Sequence, residues 1–208
     1  MKPGSWSAGE AGGPTALSVS PGVGSRGRNL LDVFLADRVP AGASLRNIRA
    51  DTRVRVAGRR VGMDITWLDD RVAVGGGIWN AENMAVLSRA GITHIIDMQI
   101  EFDDRPLAKP HGIVVCWNPV DDDFEPKPPE VFERGVEFAL EALQEPEAKL
   151  FIHCAAGVHR APMMALALLG VRGSTVEDAM DLIERLRPAA DFADVYVRSV
   201  ERFLNGRS

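Results

Sequence analysis

Eight consecutive residues carry the chemistry most legible in this chain: His153-Cys154-Ala155-Ala156-Gly157-Val158-His159-Arg160. A thiol opens the stretch and a guanidinium closes it. Gly157 between them permits a left-handed backbone or a close approach by a ligand. The short bulky run Leu150-Phe151-Ile152 leads in, as a buried strand does, and the Ala/Met/Leu-rich run 161–169 leads out, as a buried helix does. Pro162 suits the first helical turn, where its missing N–H costs nothing. The stretch is therefore a strand-to-helix loop whose backbone N–H groups can converge on an anion. Arg160 adds two parallel hydrogen bonds of the kind that phosphate oxygens accept. A helix N-terminus and a neighbouring Arg both favour the thiolate form of a cysteine. A thiolate under a phosphate cradle implies covalent phosphoryl transfer through a phosphocysteine.

The stretch resembles the Cys-x5-Arg loop of the cysteine-dependent protein phosphatases, most closely their dual-specificity branch with His-Cys-x-x-Gly-x-x-Arg. Leu87 to Met98, with its Ala-Gly-Ile-Thr-His-Ile-Ile-Asp core, also looks like that branch. The resemblance spans roughly Met63 to Leu204. It implies that Cys154 is the nucleophile, that Arg160 and the amides of Ala155, Ala156, Gly157, Val158 and His159 hold the phosphate, and that His153 orders the loop. His159 also stands where it could line the pocket rim. No metal or organic cofactor is implied.

Expelling an alkoxide or phenoxide requires an acid. Asn118-Pro119-Val120-Asp121-Asp122-Asp123-Phe124 stands about thirty residues before the cysteine and looks like the family's general-acid loop. Matching Pro-Val-x-Asp and the later Phe132 picks Asp122, with Asp121 and Asp123 as alternatives. Three crowded carboxylates are expected to keep one of their number protonated. One departure stands out: most of the family carries Ser or Thr after the Arg, whose hydroxyl stabilises the departing thiolate, and here that residue is Ala161. Ala followed by Pro also occurs in the phosphatases of regenerating liver. The expected consequence is a slow second step with phosphocysteine accumulating.

The elements that must position these groups read as an α/β domain, with a central, mostly parallel sheet of four or five strands covered by helices on both faces. Strands are predicted at 65–68, 71–74, 93–98 and 112–117 and helices at 81–89, 129–143, 174–186 and 192–204. Gly91 is read as a left-handed cap on the first helix, Gly75-Gly76-Gly77 as a turn, and Ser174 with Glu177 as a capping box. Cys116 reads as a buried strand residue.

Residues 63–206 form the expected phosphatase domain. Residues 1–62 form a low-complexity, basic extension, partly disordered, with an apolar helical face over 29–38 and six arginines between Arg46 and Arg60 that suit docking to an acidic partner. Residues 1–62 carry ten Lys/Arg against four Asp/Glu, net +6, and residues 63–208 carry fourteen against twenty-five, net −11; together they make the chain's −5. The acidic domain argues against nucleic acid. Two cysteines make no disulfide framework, and no apolar run approaches a membrane span. A cytoplasmic protein is expected, with an organelle transit peptide as the lesser alternative. The substrate expected is a phosphoprotein, on Tyr and/or Ser/Thr. The rival readings are a phosphate- or partner-binding module with weak or no activity, a phosphoinositide phosphatase (for which the loop supplies no Lys), and a sulfurtransferase.

Overall fold

The computed structural model describes residues 53–56 and 59–207. The expected helical face over 29–38 lies outside them, as does most of the arginine-rich segment. Its last part forms an antiparallel pair, β1 (Arg53–Val56) and β2 (Arg59–Gly62), alongside helix α1 (Ala81–Arg89).

A five-stranded sheet follows, in the order β3 (Ile65–Trp67), β4 (Val72–Gly75), β7 (Leu150–His153), β5 (His94–Asp97), β6 (Val114–Trp117). Only the β3–β4 pair is antiparallel; β4–β7, β7–β5 and β5–β6 are parallel. The C-terminal ends of four strands therefore share one edge, where ligand sites of open α/β sheets form. β7 occupies the middle and all four of its residues are buried. The loop it delivers thus has a neighbouring loop on each side.

Strand alternation sorts the core onto two faces. Leu150 and Ile152 pack with Val72, Val74 and Ile96 under α3 (Pro129–Ala142), α4 (Arg160–Val171), α5 (Val176–Leu186) and α6 (Asp194–Asn205). Phe151 packs with Ala73 and Ile95 under α1. On that second side a short helix, α2 (Arg105–Ala108), runs into a 3-10 turn over Lys109–His111, neither of them expected from periodicity. Residues Arg160 to Leu169 of α4 are all buried, because α3, α5 and α6 surround it.

Gly91 has φ +83°, the left-handed cap expected after α1. The α5 cap differs by one residue: Thr175, not Ser174, accepts the Asp178 N–H at 3.0 Å. Ser174 is occupied instead in closing α4, its N–H donating to Leu169 O at 3.1 Å. The helix at the end begins at Asp194, two residues later than expected, and Cys116 is only half-buried.

Candidate active site

The loop from Cys154 to Arg160 is a cradle because the carbonyl groups of Ala155 to His159 are all claimed from outside. Ala155 O accepts from the Gly77 N–H at 3.0 Å, Val158 O from Asp191 at 2.9 Å, and His159 O from Met163 at 2.9 Å. Arg187 takes the remaining two, Nε donating to Gly157 O at 2.7 Å and Nη2 to Ala156 O at 3.4 Å. In a trans peptide unit the N–H points opposite to the C=O. Carbonyls turned outward therefore turn the amides of 156–160 inward. One of them already finds the sulfur: the Gly157 N–H donates to Cys154 Sγ at 3.2 Å.

Gly157 adopts φ +67°, and a Cβ there would lie 2.6 Å from Gly75 O, so both the backbone conformation and the packing demand glycine. The Gly75-Gly76-Gly77 stretch is thus more than a turn; it is a floor on which the loop rests. Arg187 is clamped from behind by Asp64, with Nη1–Oδ1 2.9 Å and Nη2–Oδ2 2.5 Å, and by Thr66 Oγ1 at 3.1 Å.

Arg160, 2% exposed, opens α4. Glu101 grips it with two parallel hydrogen bonds, Nη1–Oε2 and Nη2–Oε1 both 3.0 Å, while Nη1 also donates to Val120 O at 3.1 Å. Its Nε is buried and donates to no group among the described residues, lying 3.7 Å from Asp122 Oδ2. Burial works against the guanidinium charge, but Glu101 together with the charges of Cys154 and Asp122 outweighs it and raises the Arg160 pKa. Glu101 is correspondingly held below the usual carboxylate range by its hydrogen bond to Arg160.

Glu101→Gln keeps the shape and one acceptor but loses the charge match. It is expected to weaken the binding of inorganic phosphate about tenfold, as titration calorimetry would show.

The three acidic residues 121–123 diverge, so the expected crowding does not arise. Asp123 pairs with Lys127, whose hydrogen bond holds the Asp123 carboxyl below its ordinary range. Asp121 is exposed. Asp122 turns inward: Tyr196 OH donates to Oδ1 at 3.0 Å and His159 Nδ1 stands 3.1 Å from Oδ2. The other ring nitrogen of His159, Nε2, lies 3.3 Å from Asp191 Oδ2. A neutral imidazole carries one donor and an ionised carboxylate none. For both contacts to be hydrogen bonds, the trio must carry one proton beyond that of a neutral imidazole, on His159 or on a carboxyl group.

Tyr196, the single tyrosine of the chain, also accepts the Phe124 N–H at 2.9 Å, so one phenol ties α6 to the acidic loop at two points. Burial, with Asp122 beside it, pushes the phenol up to about 12, which keeps it a donor.

Behind the cysteine, His153 Nε2 lies 2.8 Å from Asp104 Oδ2, without the angle of a hydrogen bond, and 3.6 Å from Asp97 Oδ1, beyond hydrogen-bond reach; both are ion-pair distances. Burial pushes Asp97 up to about 6. These three sealed side chains are the group among the described residues that could ligate a metal, their donor atoms lying within 4.8 Å of one another.

Glu101, Arg187 and Tyr196 escaped the sequence reading. Glu101 alone had a usable signal, a carboxylate just past the C-terminal end of a buried strand. Arg187 and Tyr196 act across the fold with nothing local to mark them.

Residues 77–203 match the family model of the dual specificity phosphatase catalytic domain. The chain is 32% identical over 106 residues to human protein tyrosine phosphatase type IVA 3, and 31% to the bovine protein, covering 50% of this chain. It spans about 60% of the length of those curated relatives. Among solved structures, PTPMT1 in complex with PI(5)P is similar with a TM-score of 0.61 at 19% identity, over 68% of this chain and 95% of that one. Kinase associated phosphatase carrying a cysteine-to-serine substitution gives 0.61 at 16%, over 71% and 97%. Human DUSP28 gives 0.57 at 18%, over 71% and 97%.

Proposed function

The chain belongs to the dual specificity phosphatase catalytic-domain family, and from that premise we propose that it hydrolyses phosphomonoesters of phosphoproteins, on Tyr and/or Ser/Thr, through a phosphocysteine. The observation that carries this reading is the convergence of four parts on one spot: Cys154 Sγ with an amide donated to it, inward-facing loop N–H groups, Arg160 locked by Glu101, and Asp122 3.7 Å from the Arg160 Nε.

In the first step the Cys154 thiolate attacks phosphorus and the bond from phosphorus to the ester oxygen breaks. Asp122, as the acid, protonates the leaving oxygen. The loop amides and the Arg160 Nε take the equatorial oxygens, where charge develops. In the second step water attacks the phosphocysteine and Asp122, now the base, accepts its proton. The P–S bond breaks, returning the thiolate and releasing inorganic phosphate. Tyr196 and His159 hold Asp122 over the reacting group, and Arg187 holds the loop that bears the amides. His153, stacked on Phe151 at 5.3 Å, fixes the strand end behind the nucleophile.

Ala161 is fully buried at the start of α4 and offers no hydroxyl to the departing thiolate. A hydrogen bond to a charged group is worth about 1.5–3 kcal/mol, roughly ten- to a hundredfold in rate. Rapid-quench hydrolysis of para-nitrophenyl phosphate is expected to show a stoichiometric burst followed by slow turnover. In Ala161→Ser, the slow phase should quicken by about tenfold and the burst should shrink. Turnover with no burst in either protein would place the slow step before phosphocysteine and sink the assignment to Ala161.

Most of residues 1–62 lie outside the described structure, and we keep the proposal that their basic segment docks the enzyme to acidic partners. Among the described residues no helix is long and apolar enough to cross a membrane.

A further inference from the structure

We propose that the mouth of this site selects phosphorylated protein segments that carry bulky apolar and Lys/Arg side chains beside the phosphoresidue. The inference rests on the phosphatase reading above and names its substrate class.

Four of the five large hydrophobic residues exposed among the described residues stand on three of the loops that touch the Cys154–Arg160 loop. Trp79, 59% exposed, folds over Gly77, whose N–H donates to Ala155 O; a Cβ on Gly77 would lie 2.7 Å from the indole. Ile100 and Phe102, 50% and 40% exposed, flank the Glu101 that grips Arg160. Phe124, 53% exposed, sets its ring 5.1 Å from that of His159. Scattered exposed apolar residues are ordinary, but four gathered around one opening mark an interaction surface. Phe124 moreover holds φ +59°, uncommon for a bulky residue, with its N–H bound to Tyr196 OH and its ring stacked on the tyrosine at 5.8 Å. The fold keeps this ring at the mouth in spite of the conformation it requires.

Charge decides which apolar partner fits. The loops around the mouth bring four Lys or Arg residues, and each is already matched: Arg105 by Asp103, Lys127 by Asp123, Arg160 by Glu101, Arg187 by Asp64. Asp121 and Glu125 face no cation among the described residues, and Asp191 meets only His159. The rim is therefore apolar with a surplus of negative charge. It repels an anionic bilayer or a headgroup with several phosphates and attracts Lys and Arg. Ala155, Ala156 and Val158 offer no cation for a second phosphate either.

The test compares kcat/KM of the full chain on phosphopeptides with one phosphoresidue and three flanks: Leu with Arg, Leu with Ser, and Leu with Glu. Para-nitrophenyl phosphate serves as the rim-independent reference, and phosphoinositide in phosphatidylcholine vesicles as the lipid arm. The Arg-flanked peptide is expected to exceed the Glu-flanked one by about tenfold at low ionic strength, the gap closing as salt is added. Trp79→Ala and Phe102→Ala should each cost the Leu/Arg peptide about fivefold while para-nitrophenyl phosphate stays within about twofold. Glu125→Lys should narrow the Arg-over-Glu ratio. Equal rates on the Arg and Glu flanks, or vesicle lipid turned over faster than every peptide, would overturn the proposal while leaving a phosphatase. If para-nitrophenyl phosphate also fails to turn over, the phosphatase reading falls. The same ratio must then appear in peptide binding, measured by tryptophan fluorescence, or the rim proposal falls too.

Discussion

Replacing Cys154 by Ser should remove turnover of para-nitrophenyl phosphate by at least about 10⁴-fold and abolish the burst altogether. The reason is chemical rather than structural. Serine fits the same space, 1% exposed at the base of the loop, and can still accept the Gly157 N–H that now reaches the sulfur at 3.2 Å. An alcohol, however, is not ionised near neutrality and is a poor nucleophile without a base beside it. The cradle itself should survive, because its outward carbonyl bonds and the Arg187 clamp do not involve the sulfur. Inorganic phosphate should therefore still bind, as titration calorimetry would show. A Cys154→Ser protein that retains turnover would end the covalent mechanism. One that loses both turnover and phosphate binding would say that the loop had collapsed, and the milder Cys154→Ala would then carry the test.

Asp122→Asn is expected to lower kcat/KM, which reports the first step, by about 10²–10³-fold on a substrate with a poor leaving group, such as a serine phosphate peptide. The loss should be much smaller on an aryl phosphate whose leaving oxygen needs little protonation. That dependence on the leaving group distinguishes an acid from a residue that merely braces Arg160. Asparagine keeps an acceptor for Tyr196 OH, and its amide N–H can donate to an unprotonated His159 Nδ1, so the acidic loop should stay docked on α6. Asp121→Asn and Asp123→Asn are the controls: the first side chain is exposed and the second is turned to Lys127. Either control losing as much as Asp122→Asn on the poor leaving group would reassign the acid.

The spacing of residues 121–123 from the cysteine and the flanking Pro-Val narrowed the candidate acid to three residues, and the resemblance favoured Asp122. The separation of roles comes from partners distant in sequence: Tyr196 lies 74 residues from Asp122, and His159 lies 37 away. Asp123 is diverted by a purely local contact, Lys127 one helical turn's worth of residues on, yet the loop is not helical and no periodicity announced it.

The Cys154–Arg160 loop was legible because everything that shapes it is local. A thiol, a glycine and a guanidinium at fixed spacing, a bulky strand before and an Ala-rich helix after, are consequences of backbone geometry over a dozen residues. Hydrophobic period likewise marked the strands and the longer helices, and with them the α/β class, since alternating strands and helices leave few ways to bury both sheet faces. By itself, then, the sequence determined the class of fold and the loop, and with it the chemistry proposed for that loop. The tertiary structure alone decided what makes that loop stand: Glu101 reaching Arg160 across 59 residues, Arg187 reaching Gly157 across 30 and Asp64 across 123, and the glycine floor beneath. Such pairings obey no period. They arise because parallel strands bring their C-terminal ends to one edge, so residues far apart along the chain become neighbours only once the sheet has formed.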